Sequence, residues 1–182
     1  MNYYFNNFPN YYSNQIEVSP SKNLAICIVI PCFNELNLIE SLESINSCKL
    51  FGEEVEIITV FNASESTPEI KRINENAKKH AELWVRMNAK PGLFYYFVEA
   101  NNLQQKEAGV GLARKIGMDI AAYRFETINK DGIIACFDAD SVCSSNYLIE
   151  LYKHFKTYPK SPACSIHFEH PLSGTNFPAG AG

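Results

Sequence analysis

Residues 24–35 read LAICIVIPCFNE, an apolar stretch that ends abruptly in polar side chains. Apolar and β-branched residues without a polar interruption predict a strand over residues 24–31 that is buried on both faces. Strands of this kind are typical of parallel sheets that lie between layers of helices. The stretch therefore predicts an α/β domain, and its polar end marks an edge of the sheet where a ligand can bind.

The sequence that follows this stretch alternates between helix and strand patterns. Four more strands are predicted, over residues 55–61, 94–100, 132–138 and 163–169. Helices are predicted between them, around residues 38–45, from 67 to about 83, near 108–124, and in a segment up to 155 that Ser144 or Ser145 would cap. This alternation predicts a mostly parallel sheet with helices on both faces.

The two ends of the chain differ from this alternating region. Residues 1–22 are rich in Tyr, Phe and Asn without a helix or strand period, which predicts an irregular arm. Packing on the domain's own surface is favoured over the alternative of a partner or membrane face. The ligand-binding domain is expected over residues 23–170, and a flexible tail over residues 171–182. No apolar run approaches the roughly 20 residues of a membrane span, and the N-terminus has no signal-peptide pattern.

Composition narrows the class of protein. Sixteen Lys and Arg against 20 Asp and Glu leave a formal net charge of -4, which argues against general nucleic-acid binding. The six cysteines contain no CxxC pair, and most lie in or beside apolar strand-like runs: Cys27, Cys32, Cys136 and Cys164. We therefore expect small buried thiols in a reducing compartment, which indicates a cytoplasmic protein, with a location at the inner face of a membrane as the alternative.

Polar side chains follow three of the predicted strands, at residues 31–35, 61–66 and 138–141. Asp138 and Asp140, separated by Ala139, are the strongest indication of a binding site. Two carboxylates just past a buried strand raise the free energy of the fold unless a cation or hydrogen-bond donors offset their charge. Mg²⁺ typically takes one or two carboxylates together with substrate phosphates. The position of the pair at a strand end favours metal and nucleotide binding over the alternative of a solvated turn.

Weaker patterns point to other chemistry. Gly109, Gly111 and Arg114 open a predicted helix, where backbone N–H groups and a guanidinium can bind an anion, although the GxGxxG spacing is not met. Residues 167–170 read HFEH, a possible zinc pattern, but His167 and Glu169 would face opposite to the last histidine on a strand. The P-loop, HExxH and GxSxG motifs are absent.

Four segments in this order resemble family 2 glycosyltransferases, which have the GT-A nucleotide-sugar fold. The resemblance runs from about Leu24 to about Phe155. Its segments are IVIPCFNE (28–35), EIITVFNASES (56–66), AGVGLARKIGMDIA (108–121) and IIACFDADS (133–141).

The resemblance implies a site that holds a nucleoside-diphosphate sugar and a divalent metal, Mn²⁺ or Mg²⁺. A UDP-sugar is favoured, and a GDP-sugar remains open because Asn62 stands where the family often has an aspartate. The residues implied are Pro31, Phe33, Glu35 and Asn62 at the nucleoside, Arg114 near the base or phosphates, Asp138 of the DxD motif near the ribose and metal, and Asp140 at the metal.

The implied reaction transfers the sugar to the hydroxyl of an unidentified acceptor, with inversion. The family's general base lies well downstream, so we expect this chain to be a truncated, donor-binding part, with Glu169 the one late candidate for that base. A non-catalytic nucleotide-binding or interaction module of the same fold is the alternative. A nucleotidyltransferase is disfavoured, because residues 32–40 lack a Gly-rich, basic loop.

Overall fold

The computed structural model describes residues 3–7, 15–103 and 108–169. These residues form four strands and five helices. In chain order the elements are α1 (Tyr3–Asn7), β1 (Leu24–Cys32), α2 (Leu38–Asn46), β2 (Glu54–Ser64), α3 (Pro68–Asn88), β3 (Leu93–Leu103), α4 (Val110–Thr127), β4 (Ile133–Cys136) and α5 (Tyr147–Thr157).

The described strands form one parallel sheet in the order β3-β2-β1-β4. Every residue of β1 is buried, because strands lie on both sides of it and helices cover both of its faces. Apolar side chains of α2, α3 and α5 pack on one face of the sheet, and those of α4 pack on the other. The structure therefore confirms the predicted mostly parallel sheet with helices on both faces.

The predicted fifth strand is wrong. Residues 163–169 have no regular secondary structure and are exposed. A strand requires a neighbour that satisfies its backbone N–H and C=O groups, and no described strand pairs with this segment. The N-cap position of α5 is Asn146 and not Ser144 or Ser145, and the Asn146 side chain makes no capping hydrogen bond.

The prediction of buried thiols holds for only part of the cysteines. Cys27 and Cys32, which lie in the central strand, are buried. Cys136 and Cys164 are exposed, because β4 is a short edge strand and residues 163–169 do not join the sheet. All six cysteines are free.

Part of the aromatic N-terminal segment packs on α4. Residues 3–7, for which no regular structure was predicted, form the short helix α1. The Tyr4 hydroxyl donates to the Asp119 carboxylate at 2.6 Å, and the Phe5 ring meets the Tyr123 ring edge-on at 5.9 Å. Residues 1–2, 8–14 and the predicted tail 171–182 lie outside the described residues, and the domain boundaries stay a prediction.

None of the helices within the described ranges is both long enough and apolar enough to cross a membrane.

Gly117 allows α4 to approach the sheet closely. A Cβ atom at this position would lie 2.3 Å from Cγ1 of Val29 and 3.2 Å from Cγ2 of Val60. We expect Gly117→Ala to lower the free energy of unfolding by about 1–3 kcal/mol, because the extra methyl overpacks the helix–sheet contact. Urea unfolding followed by circular dichroism measures the change.

Gly111→Ala, in the same helix, is the matched control. A Cβ atom there meets nothing within 4 Å, so we expect no loss of stability and a gain of up to about 1 kcal/mol. Equal stability of the two variants would contradict the close approach of α4.

Candidate functional site

The predicted site residues at the ends of β1 and β4 meet the start of α4. Because the strands are parallel, their carboxyl ends lie at one edge of the sheet. Arg114, the fifth residue of α4, donates from Nη2 to Oδ1 of Asp138 at 2.6 Å. Both side chains are partly exposed, at 36% and 59%. The structure therefore brings together two residues that the sequence could only assign to the same edge.

Three carboxylates lie close enough at this edge to influence one another. Burial raises the pKa of Glu35 above its ordinary value, and the negative charges of Asp140 and Asp138 raise it further. Like charges that share a site favour protonation of one member or the arrival of a cation. The edge of the sheet around Glu35, Asp138 and Asp140, called here the acidic edge, therefore carries a local negative field that Arg114 offsets at one point.

The loop after β4 directs both aspartates outward. Phe137 and Ala139 are buried, whereas Asp138 and Asp140 between and beside them are exposed. The amide of Phe137 donates to the carbonyl oxygen of Val29 at 2.9 Å, which extends the pairing with β1 beyond the end of β4. The alternation of a strand thus continues into the loop and places both carboxylates on its open side.

Two serines of α2 hold this loop, and the sequence analysis missed both. The Ser41 hydroxyl lies 2.7 Å from the carbonyl oxygens of both Ala139 and Ser141, the residues on either side of Asp140. The Ser44 hydroxyl accepts the amide of Cys143 at 3.2 Å. The sequence does contain a pattern that indicates them, because these polar residues lie on or beside the buried face of a helix that is otherwise lined with Leu and Ile.

Asn62 is fully buried and binds the backbone of the protein itself. Its Nδ2 donates to the backbone carbonyl oxygen of Gly109 at 2.8 Å, and its own backbone carbonyl oxygen accepts from Nδ2 of Asn74 at 2.8 Å. Oδ1 of Asn74 in turn accepts the amide of Asn34 at 3.2 Å. These bonds tie the ends of β1 and β2 to the residue that precedes α4. Contact between Asn62 and a nucleoside stays a prediction.

Gly109, the cap residue of α4, has a φ of +146°, a conformation that favours glycine. A Cβ atom at Gly109 or Gly111 would meet nothing within 4 Å. Among the described residues Nε of Arg114 is buried without a hydrogen-bond partner. The start of α4 is therefore an open backbone surface beside an incompletely paired guanidinium, which suits an anion.

The remaining predicted residues are placed as follows. Pro31 is buried in β1, and Phe33 is half-buried in the loop that leads to Glu35. Glu169 is exposed and pairs with His167 at 3.1 Å. No described contact connects Glu169 with the acidic edge, so its role as a base stays a prediction.

The structure does not support the zinc pattern at residues 167–170. The sequence argument against it was that a strand would place His170 on the face opposite to His167 and Glu169, but residues 163–169 form no strand. Across the described residues, no three or more His, Cys, Asp or Glu side chains are arranged to hold a metal ion, and His170 lies outside those residues.

Comparisons with known proteins identify the family. The sequence profile described as Glycosyl transferase family 2 matches residues 27–179. Among solved structures, the crystal structure of S. aureus TarS 1–349 is similar, with 15% identity over 74% of this chain and 33% of that chain and a TM-score of 0.49. A second S. aureus TarS crystal structure shows 14% identity over 74% of this chain and 20% of that chain, with a TM-score of 0.48.

No curated protein sequence matches. The chain spans about a third of the length of the first TarS structure. The family profile and the parallel sheet between two helix layers confirm the predicted GT-A type α/β fold. Because the profile covers most of the sequence, the chain belongs to glycosyl transferase family 2.

Proposed function

We propose that the acidic edge and the start of α4 bind a nucleoside-diphosphate sugar with a divalent cation, and that the protein transfers the sugar to an acceptor hydroxyl with inversion. The observation that carries this proposal is the convergence of Glu35, Asp138 and Asp140 with Arg114. Carboxylates suit the cation, and the guanidinium with the helix start suits the diphosphate. Family membership supports the same reaction class.

The residues present fit a cation that the substrate helps to bind. Mg²⁺ and related ions are commonly held by one or two carboxylates together with phosphate oxygens. Asp140 and Asp138, which are exposed at the end of β4, would supply those carboxylates. Burial raises the pKa of Glu35 most, and the charges of Asp140 and Asp138 raise it further; a cation would relieve the part due to these charges. When bound, the metal would neutralise charge on the departing diphosphate.

Arg114 and the first turn of α4 would bind the phosphate side of the donor. The salt bridge to Asp138 holds the guanidinium at the edge of the site, and its other donors remain for a phosphate or base. The open space at Gly109 and Gly111 lets a ligand approach the backbone N–H groups. Asn62 would preserve this arrangement through its bond to Gly109.

The nucleoside would lie over the ends of β1 and β2. Phe33 offers a half-buried ring, Glu35 offers a hydrogen-bond acceptor, and Pro31 forms the floor at the strand end. We retain a UDP-sugar as the favoured donor and a GDP-sugar as the alternative.

A non-catalytic nucleotide-binding or interaction module of the same fold is the second candidate. The observation that favours it is Asn62, which stands where the family often has an aspartate and donates to the backbone carbonyl oxygen of Gly109. Such a module would bind the donor without releasing its sugar.

Isothermal titration with UDP and GDP, each with and without Mn²⁺, tests donor binding. We expect Mn²⁺ to tighten binding of one nucleotide roughly tenfold or more, the equivalent of one charge-assisted contact. Absence of binding by both nucleotides in the presence of Mn²⁺ would contradict the proposal. Slow release of nucleotide from UDP- or GDP-sugars, with water as acceptor, would separate the enzyme from the module.

A further inference from the structure

Cys48 and Cys143 form a thiol pair next to the loop that carries Asp140. Their Sγ atoms lie 3.7 Å apart although the residues are 95 positions apart in the sequence. Cys48 lies just after α2 and is buried, whereas Cys143 is partly exposed in the loop. Both are free thiols. The proposed function assigns no role to either residue.

Hydrogen bonds from two backbone amides hold the segments that carry the two cysteines next to each other. The amide of Cys143 donates to the Ser44 hydroxyl at 3.2 Å, and the amide of Lys49 donates to the carbonyl oxygen of Ser145 at 2.7 Å. The first bond therefore anchors Cys143 itself to α2, and the second joins the residue after Cys48 to the loop. Because the fold already holds the partners together, little chain entropy opposes a covalent link in the native state.

The surroundings also favour ionisation of one thiol. A hydrogen bond from Cys143 lowers the pKa of Cys48 to about 7, in spite of burial, and the nearby charge of Lys90 acts in the same direction. The thiolate is the reactive form of cysteine towards oxidants. The lowered pKa of Cys48 therefore favours a thiolate next to the Cys143 thiol.

We propose that Cys48 and Cys143 are a modification site at which a small peroxide forms a reversible disulfide. The Cys48 thiolate attacks one peroxide oxygen, the O–O bond breaks, and a sulfenic acid and hydroxide form. Cys143, after loss of its proton to hydroxide, attacks the sulfenic sulfur, the S–O bond breaks, and the second oxygen leaves as water after protonation. Two thiols and one hydrogen peroxide yield one disulfide and two waters, and a thiol reductant restores the pair.

The link would tie the loop after β4 to the end of α2. A disulfide brings the sulfur atoms to about 2.05 Å, so the present separation must shorten and the loop must move slightly towards the helix. Asp140 lies three residues before Cys143 in this loop. Formation of the bond does not depend on the proposed metal and nucleotide function.

Hydrogen peroxide treatment of the whole chain, followed by alkylation in denaturant and peptide mapping, tests the proposal. We expect one dominant cross-linked peptide that joins Cys48 to Cys143, with the other four thiols alkylated. The oxidised chain should have a Tm higher by roughly 5–10 °C, because a long loop is closed. Dithiothreitol should reverse both changes.

Cys48→Ser and Cys143→Ser should each abolish the cross-link and the Tm shift, whereas Cys164→Ser, at an exposed cysteine, should leave both unchanged. Oxidation of Cys48 to a sulfinic acid without a cross-link would overturn the proposal. So would cross-links distributed equally among other cysteine pairs.

Discussion

Asp140→Ala is expected to lower the affinity for a Mn²⁺-bound nucleoside diphosphate by roughly 100-fold or more, since loss of even an outer partner of a metal ligand commonly costs 10–100-fold. The free energy of unfolding should change by no more than about 0.5 kcal/mol, as for other exposed substitutions. The side chain is exposed, and Ser41 holds the loop through the carbonyl oxygens of Ala139 and Ser141, which the variant retains. Titration calorimetry with and without Mn²⁺ measures the loss.

Asp131→Ala is the matched control, because Asp131 is an exposed aspartate just before β4, at the opposite end of that strand. It should leave nucleotide affinity unchanged. Asp140→Asn tests the charge separately from the shape, and we expect it to resemble Asp140→Ala. An unchanged Mn²⁺-dependent affinity in Asp140→Ala would remove this residue from the metal site.

Arg124→Met is expected to lower the free energy of unfolding by about 3–5 kcal/mol, the largest stability effect that we anticipate. Arg124 of α4 forms a two-pronged salt bridge with Glu56 of β2, and only 3% and 4% of the two side chains are exposed. The guanidinium also donates to the carbonyl oxygen of Val18 at 2.8 Å and lies over the Tyr96 ring at 4.9 Å. Removing it leaves a buried carboxylate without its cation, which is the costly state.

Urea unfolding at pH 7 measures this effect, and two variants control it. Arg86→Met, at an exposed arginine near the end of α3, should change stability by no more than about 0.5 kcal/mol. The double variant Glu56→Gln/Arg124→Met should recover part of the loss, because no buried charge remains unpaired. A loss below about 1 kcal/mol in Arg124→Met would show that the ion pair does not hold α4 against β2.

The acidic edge shows which parts of the candidate site local sequence patterns can predict. Asp138 and Asp140 follow a buried strand, and Glu35 follows another, so parallel pairing alone brings them to one side of the sheet. The contact between Arg114 and Asp138 was not predictable in detail, because it depends on how α4 sits across the strand ends. Asn62 shows why a polar residue at a strand end need not bind a ligand, because its side chain donates to the backbone carbonyl oxygen of Gly109.

Residues 163–169 mark a second limit. Their apolar character predicts a strand, but a strand forms only where the chain is brought alongside a sheet edge. β4, whose pairing with β1 involves four residues, leaves its outer edge unpaired among the described strands, and residues 163–169 do not pair with it. The local sequence encodes a preference for an extended conformation, but it does not specify a strand with which this segment would pair.

Hydrophobic periodicity and the order of its segments were enough to predict the α/β class and the parallel sheet, because a strand buried on both faces requires helices above and below it. The family was predicted separately, from the resemblance of four sequence segments. The same patterns could not pair Ser41 with the loop around Asp140, Cys48 with Cys143, or Glu56 with Arg124. Each of these contacts joins residues that are 68 or more positions apart. Periodicity shows only that such a residue faces the interior, whereas its partner depends on the angle and height at which one helix packs on the sheet.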